Sequence, residues 1–502
     1  MACLVISPHK EMALPLRTIT SLSLALLCFS RFACADPLPD IAEKGDYSSL
    51  VAHIDIQADV NEQQPDGMTA LHWAVQHSDA AMVRALLTAG AVPDIKNAFG
   101  VHPLAIAATN GNTEIARLLL KAGVNVNDTL AGGETALMTA ARVGNPELTA
   151  LLIDKGADLS VTVQDRQNAV SWAAAAGNIQ VVKQLVRAGA DYRFTPKDGF
   201  SPFFFAVREG HRDIVEYFIG LGIDASEPMS VKKAGPKQPK NGTTALTLAV
   251  ENGHYALAID LVDAGADPND LTSPLAPLHR IVGLRRPDKG DGARTMPPKG
   301  SGPLESLDFV DALVERGADV NLRLVTGRTA QGVLTNKGAT ALLMAAEKGD
   351  IALMKRLISF GADPHLGNVD KATPLLAAAG LGSLRPSEEA GTESDALAAV
   401  ELLIDLGADI NHVDENGENI LHAAAYGSYP MIVRHLNTMK LKTTYWSAKN
   451  EYGRTPLLIA QGYRPGNFMP SHLTEEAIAE SMKGNGLEPD MEPNATLQNH
   501  YE

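Results

Sequence analysis

The chain alternates short apolar segments with polar, glycine-containing turns, and this alternation returns along most of its length. In one copy, the apolar segment MTALHWAV at residues 68–75 is followed by a second segment, MVRALLTAG, at residues 82–90. Copies begin at Gly67, Gly100, Gly133, Arg166 and Gly199, which are 33 residues apart, and later near Gly242, Pro274, Gly338, Lys371, Gly417 and Gly453. A fixed interval of this size is typical of repeat architectures, in which each unit stacks on its neighbours. The pattern therefore predicts an all-α solenoid of helix–turn–helix units.

Residue types within each copy indicate where its helices begin and end. A threonine such as Thr69 or Thr340 stands where a helix needs an N-cap, because its side-chain oxygen can accept a hydrogen bond from an unpaired backbone amide. Proline follows the cap position in several copies, and its missing N–H suits the first helical turn. A glycine before Ala-Asp, as at Gly156, predicts a left-handed residue that ends the second helix. Each copy is thus predicted to hold two short helices.

Sequences such as GMTALHWAV at residues 67–75 and GATALLMAA at residues 338–346 resemble the ankyrin repeat. That family's pattern is G-x-T-P-L-H-x-A-A-x-x-G, followed by a second helix and G-A-D-x-N. The resemblance covers about residues 38–484 and implies an ankyrin-repeat solenoid of about eleven or twelve units, with hairpin fingers between successive helix pairs. Arg166 and Lys371 depart from the pattern, since they stand where glycine is usual.

The first 35 residues are predicted to be a signal peptide. From Met12 they hold a short basic start, an apolar run from Ile19 to Phe29 and the small-x-small motif Ala33-Cys34-Ala35, which is typical of a cleavage site. We predict that translation starts at Met12 and that cleavage falls between Ala35 and Asp36. The apolar run is shorter than the roughly 20 residues of a membrane span, so no span is expected in the mature chain. Export to the periplasm is expected, and secretion is the alternative.

Composition narrows the classes of partner. The chain has 502 residues and a formal net charge of −16, which disfavours nucleic acid as a partner. All three cysteines, Cys3, Cys28 and Cys34, lie in the predicted signal peptide, so the mature protein would have no thiol, disulfide or thiolate metal site. We expect a monomer that needs no cofactor or metal and binds a protein partner of unknown identity.

Changes in the period predict the remaining boundaries. We predict an N-terminal capping repeat at residues 36–66, repeats at 67–461, a C-terminal cap at 462–484 and a disordered tail at 485–502. Four insertions interrupt the repeats, at residues 226–240, 283–303, 322–337 and 383–395. The first three of these insertions are basic. They are either solvated loops or a patch that steers an acidic partner. The break around residues 283–337 is expected to be the weakest joint of the array.

The family resemblance implies that partners bind at the finger tips and at the inward end of each first helix. Four aromatic residues in such places, Phe99, Phe200, Tyr426 and Tyr452, are expected to be exposed and to act as anchors, although each could equally pack on its own finger. The other predicted contacts are Met68, Gln76, His77, Val101, Thr109, Asn110, Glu134, Arg142, Asp198, Arg208, Glu209 and Arg454.

The sequence does not indicate catalytic chemistry. His72, His279 and His422 occupy the family's histidine position, where the resemblance implies a structural hydrogen bond near the helix start. No phosphate-binding glycine loop, His-Glu-x-x-His motif or nucleophile elbow occurs in a supporting context. We therefore predict a binding scaffold that is not an enzyme. The alternatives are a secreted effector that binds a host protein, and an enzyme with a site in residues 283–337.

Overall fold

The computed structural model describes residues 36–56, 58–231, 241–289, 298–327, 334–383, 386, 390–439, 441–464 and 469–490. Within these residues the chain forms twenty-four α-helices, one 3₁₀ helix and no β-strand, which confirms the all-α prediction. The predicted signal peptide, the lysines of residues 232–240 and most of the predicted disordered tail lie outside the described residues. The chain divides into two compact units, which we call unit 1, up to Val163, and unit 2, from Gln164.

Unit 1 contains four described helix pairs, and each pair is one repeat. The helices are α1 (Leu38–Glu43), α2 (Tyr47–Asp55), α3 (Ala70–Gln76), α4 (Ala80–Thr88), α5 (Pro103–Thr109), α6 (Thr113–Lys121), α7 (Ala136–Val143) and α8 (Pro146–Asp154). The first helices pack in order, α1 on α3, α3 on α5 and α5 on α7, and the second helices pack in a parallel row. Alanines of the first helices, such as Ala74 in α3 and Ala107 in α5, are fully buried, and their small side chains let neighbouring first helices approach closely.

Unit 2 continues the same order of short helix pairs. Its helices are α9 (Ala169–Ala175), α10 (Ile179–Arg187), α11 (Pro202–Glu209), α12 (Arg212–Gly220), α13 (Ala245–Glu251), α14 (Tyr255–Asp263), α15 (Pro277–Arg285), α16 (Ser306–Glu315), α17 (Ala341–Glu347), α18 (Ile351–Ser359), α19 (Pro374–Ala378), α20 (Glu393–Asp405), α21 (Ile420–Gly427), α22 (Pro430–Asn437), the 3₁₀ helix Thr443–Trp446, α23 (Pro456–Ala460) and α24 (His472–Gly484). First helices again pack on first helices, from α9 on α11 to α21 on α23.

The predicted threonine caps form. The Oγ1 atom of Thr340, for example, accepts a hydrogen bond from the amide of Leu343 at 3.2 Å. His102 replaces threonine in one copy, and its Nδ1 atom accepts from the amide of Ala105 at 3.3 Å in the same way. The threonines that cap a first helix are Thr69, Thr135, Thr244, Thr340, Thr373 and Thr455.

Asparagines that follow the second helices join each repeat to the next. The side-chain amide of Asn127 donates to the carbonyl of Gly156 at 3.2 Å, and its oxygen accepts from the amide of Asp158 at 2.7 Å. Asn269 and Asn321 make the same pair of bonds to their next repeats. Because these bonds pair a backbone carbonyl and a backbone amide in the turn after the next repeat's second helix, the asparagine links successive repeats.

The three histidines of the repeat pattern are structural, as predicted. The Nε2 atom of each lies against a carbonyl of the following finger, at 3.1 Å for His72, 3.2 Å for His279 and 3.1 Å for His422. Burial lowers the pKa of His279 and of His422 to about 4, so both rings are neutral at neutral pH. A neutral ring suits a buried link between repeats.

The insertion at residues 283–303 is held at both of its described ends. At its start, Arg286 Nη1 lies 2.9 Å from Asp395 Oδ2, and Lys289 Nζ donates to the carbonyl of Gly391 at 2.9 Å. Near its end, the backbone amide of Ser301 donates to His254 Nδ1 at 3.0 Å. Arg286 and Lys289 therefore contact the chain itself, whereas a steering patch formed by the basic insertions as a whole stays a prediction. The same contacts connect residues of several repeats, and the weak joint around residues 283–337 stays a prediction.

The C-terminal segment folds back over earlier repeats. Arg464 is only 1% exposed, and its guanidinium donates to the carbonyls of Tyr426 and Met469, each at 2.9 Å. Helix α24 follows, with Ser471 immediately before it. Thr474 lies in the first turn of this helix and is fully buried. Side-chain contacts of Arg464, rather than a cap alone, attach this end of the chain.

Candidate binding face

The predicted contact residues of unit 1 are all at least partly exposed, and they lie on successive fingers and first-helix ends. We call this set the unit 1 face. It consists of Met68, Gln76, His77, Phe99, Val101, Thr109, Asn110, Glu134 and Arg142.

Phe99 stands out on this face because 73% of the residue is exposed. Asn97 orders the finger that carries it, since the Asn97 side-chain oxygen accepts from the amides of Phe99 at 3.0 Å and Val101 at 2.9 Å. Gly100 follows with a φ of +74°, a conformation that favours glycine. The finger thus presents an aromatic ring to solvent on a backbone that is held in place.

Hydrogen bonds also order the helix ends of the unit 1 face. The ring of His77 stacks on Trp73, with centroids 6.0 Å apart, and its Nε2 atom lies 2.9 Å from the carbonyl of Glu43. In the next repeat, the side-chain amide of Asn110 donates to the carbonyls of Val75 at 3.1 Å and Gln76 at 3.2 Å. Each helix end is thereby linked to the repeat before it. Such a surface loses little conformational freedom when it binds a partner.

The unit 1 face carries almost no net charge. Glu134 and Arg142 are its one acidic and one basic residue, and their side chains lie 3.8 Å apart. The hydroxyl of Thr139 also donates to Glu134 Oε1 at 2.6 Å. In a chain with a net charge of −16, a locally neutral surface favours shape and apolar contact over ion pairing as the source of affinity.

Phe200 differs from the expectation that it is exposed. It is only 8% exposed, its ring centroid lies 5.1 Å from that of Phe205, and the guanidinium of Arg208 covers it at 5.1 Å. Arg208 also lies 2.7 Å from Glu209, which is exposed. The run of phenylalanines at residues 203–205 explains the difference, because it creates an apolar surface into which Phe200 folds.

Tyr426 is fully buried, so the expectation that it is exposed is also wrong. Its hydroxyl donates to Glu418 Oε1 at 2.9 Å, and the side-chain amide of Asn450 donates to the same oxygen at 3.0 Å. Burial, with a further contribution from the negative charge of Asp414, raises the pKa of Glu418 to about 7. Tyr426 therefore belongs to a polar network inside unit 2 and does not reach a partner.

The remaining predicted contacts of unit 2 are also less accessible than expected. Tyr452 is half-buried, and the guanidinium of Arg454 lies 5.7 Å from its ring centroid. Arg454 itself is 9% exposed. The side chain of Asp198 is 14% exposed and lies 3.8 Å from Arg166. The structure therefore groups the accessible predicted contacts mainly in unit 1.

Residues 334–337, which we call the arm, are the end of the insertion predicted at residues 322–337, and they cover part of unit 2. The backbone of Leu334 rests on Gly382, where a Cβ atom would lie 2.1 Å from the Leu334 nitrogen. Gly380 and Gly382 lie close together just after α19, and glycine often marks a close approach of two backbones. That local signal could have indicated the contact but not its partner.

The described residues offer little support for a catalytic site. Ser301 Oγ lies 2.9 Å from His254 Nδ1, but the serine amide also donates to that nitrogen, and His254 Nε2 lies 2.9 Å from the carbonyl of Arg208. The ring is thus held as an anchor for the insertion. No group of three or more His, Cys, Asp or Glu side chains in the described part of the chain is placed to bind a metal. None of the helices described there has the length and apolar character needed to cross a bilayer.

Comparisons with known proteins show likenesses to ankyrin-repeat proteins. Models of ankyrin repeats match residues 40–272, in four overlapping segments, and also residues 337–369 and 392–436. The crystal structure of the human ASB11 ankyrin repeat domain is similar at 21% identity, with a TM-score of 0.40, over 47% of this chain and 100% of that one.

A curated relative gives a similar result. An ankyrin repeat and KH domain-containing protein of Caenorhabditis briggsae is 29% identical over 165 residues, which are 29% of this chain. The match spans only 6% of that relative's length. Ankyrin repeats are generally protein–protein interaction modules. Since the family models match more than half of its residues and its helix pairs follow the same order, this chain belongs to the ankyrin-repeat family.

Proposed function

We propose that the protein is an exported, non-enzymatic scaffold that binds a partner protein through the unit 1 face. The observation that carries this proposal is Phe99, which is 73% exposed beside helix ends ordered by hydrogen bonds. Buried aromatic anchors dominate the energies of many interfaces, and an exposed ring on a rigid finger is well placed to become one. The near-neutral charge of the face further indicates a partner recognised by shape and apolar contact.

The test begins by identifying the partner through crosslinking and mass spectrometry in periplasmic extract. Surface plasmon resonance then compares Phe99→Ala with Leu473→Ala, a matched control because Leu473 is 64% exposed on α24 of unit 2. We expect Phe99→Ala to weaken binding by about 2 kcal/mol, mainly through faster dissociation, and the control to change it by less than about 0.5 kcal/mol. An unchanged dissociation rate in Phe99→Ala would place the interface on another surface.

Export is the second part of the proposal, and the motif Ala33-Cys34-Ala35 supports it. N-terminal sequencing of the exported protein is expected to begin at Asp36. Material that retains Cys34, or that begins upstream of Met12, would contradict this. Fractionation distinguishes the two destinations: a periplasmic protein fits the scaffold, whereas a protein recovered from the medium fits an effector that binds a host protein.

A further inference from the structure

The arm at residues 334–337 covers a position of the repeat in unit 2 whose equivalents in unit 1 are exposed. Counting eight residues from each N-cap gives His77 after Thr69, Asn110 after His102 and Leu381 after Thr373. His77 and Asn110 are exposed, whereas Leu381 is only 4% exposed. The arm lines the space over Leu381 and Gly382 together with residues of the next fingers. The same repeat position is therefore open in unit 1 and covered here.

The arm is bonded through its backbone to the next finger. The side-chain amide of Asn368 donates to the carbonyl of Thr335 at 3.0 Å. The backbone amide of Val369 donates to the carbonyl of Lys337 at 3.1 Å, which is the same finger-to-finger bond that Ala98 makes to Asp66 in unit 1. The arm is therefore anchored at Lys337 as a regular finger, and Leu334 and Thr335 are the part of it that extends over the end of α19.

Side-chain contacts add to the backbone bonds. Leu334 is half-buried against Gly382, and Thr335 is 1% exposed. The cavity that remains between the arm and the surface beneath it is about 10 Å³, roughly the space of one water molecule. The arm therefore fills this site almost completely.

We propose that the arm is an internal ligand, and that the surface beneath it is a second binding site for a partner protein. This surface, which we call the C-terminal groove, is formed by Asn368, Val369, Ala372, Leu381 and Gly382. The groove fits an extended segment in which an aliphatic residue precedes a small hydroxyl residue, because that is the chemistry it holds in Leu334 and Thr335. An outside segment competes with an arm whose effective concentration is on the order of millimolar, so only a partner with further contacts opens the groove.

Thiol labelling tests the proposal without the partner of the unit 1 face, so the two proposals can fail separately. In full-length protein with Cys3, Cys28 and Cys34 replaced by serine, Leu381→Cys would be the only thiol. We expect this thiol to react slowly, and to react at least about tenfold faster when Leu334→Gly and Thr335→Gly are added. A capped Leu-Thr-Asn-Lys peptide at millimolar concentration should restore protection in the arm variant, whereas a scrambled peptide should not.

Two controls separate an open groove from a protein that has lost its fold. Leu376→Cys, in the core of α19 at 1% exposure, should stay unreactive in both backgrounds. If Leu376→Cys also reacts quickly in the glycine variant, Gly382→Ala is used in place of the two arm substitutions. The added methyl group displaces the Leu334 backbone, while the sequence of the arm is unchanged. Equal labelling of Leu381→Cys with and without the displacement, or no protection by the peptide in a folded glycine variant, would overturn the proposal. No peptide protection is expected with Gly382→Ala, because the added methyl group occupies the place of the Leu334 backbone.

Discussion

The unit 1 face and the C-terminal groove use the same positions of the repeat, but only the first is open. His77 and Asn110 end their first helices in contact with solvent, whereas Leu381 ends its helix beneath the arm. The two regions differ because unit 2 carries insertions that unit 1 lacks. A repeat sequence therefore defines where a binding surface would form, and insertions from neighbouring repeats decide whether it is available.

The largest effect is expected when the side chain of Arg464, which attaches the C-terminal segment of unit 2, is removed. Arg464→Ala should lower the free energy of unfolding of the last repeats by about 3–4 kcal/mol, because the buried carbonyls of Tyr426 and Met469 lose their donor. Urea unfolding followed at Trp446 measures the effect, and Trp73 reports unit 1 in the same way once the other tryptophans are replaced by phenylalanine.

The matched control for this prediction is Arg117→Ala, since Arg117 is exposed and lies 3.7 Å from Glu147. It should change stability by less than about 0.5 kcal/mol, as is usual for exposed ion pairs. If Arg464→Ala shifted the Trp73 transition as much as the Trp446 transition, the C-terminal closure would not be a local feature of unit 2.

A second test compares the two phenylalanines that were both expected to be contacts. Phe200→Ala should destabilise unit 2 by about 2–3 kcal/mol, because it removes a buried ring that packs on Phe205 and Arg208. Phe99→Ala should leave stability within about 0.5 kcal/mol, since the ring is exposed. Circular dichroism during urea unfolding provides the measurement, and equal stability losses would contradict the assignment of Phe99 to a free face.

The third test uses pH to examine the buried network of unit 2. The pKa of Glu418 rises from 4.5 to about 7 on folding, so between these values the folded state holds a proton that the unfolded chain has lost. This contribution to stability is therefore complete below about pH 4.5, falls as pH rises, and is absent above about pH 7. Glu418→Gln should be more stable than the unaltered protein by about 2 kcal/mol at pH 8 and equal to it near pH 4.5.

The stability of Glu418→Gln must be compared with that of the unaltered protein at each pH, because His422 changes the pH dependence of stability in the opposite direction. Its pKa is lowered to about 4, so its contribution to stability is lost as pH falls from about 6.5 towards 4. His422 is present in both proteins and cancels in the comparison. Unfolding at Trp446 is the appropriate measurement, and a difference that does not change between pH 4.5 and 8 would show that Glu418 is not the responsible group.

The smallest expected effect concerns the insertion at residues 283–303. Arg285 lies 2.7 Å from Asp350, whose own side chain caps α18 through the amide of Leu353. Arg285→Ala should cost about 1 kcal/mol, because the cap remains when the cation is lost. Arg316→Ala, which removes an exposed pair with Asp263, should cost less. Limited proteolysis should cut residues 283–303 faster in Arg285→Ala than in Arg316→Ala or the unaltered protein. Equal cleavage rates in the three proteins would show that Arg285 does not hold the insertion.

The sequence by itself determined the repeat, its helix boundaries and the links between repeats. Thr340 caps its helix, His72 reaches the next finger and Asn127 ties two helix ends because each contact lies within one repeat or between consecutive ones. The 33-residue period places such residues in the same local geometry every time. The exposed position of Phe99 follows the same regular pattern.

Only the tertiary structure decided which of the repeated surfaces are covered. Arg464 contacts the carbonyl of Ser383, 81 residues earlier, and Arg286 contacts Asp395, 109 residues later. These contacts start from residues that interrupt or follow the period, so no repeated pattern predicts where they end. The burial of Phe200 likewise depends on the phenylalanines that follow it. Local hydrogen bonding and apolar spacing build the stack, whereas the path of its insertions selects the part of the stack that remains open.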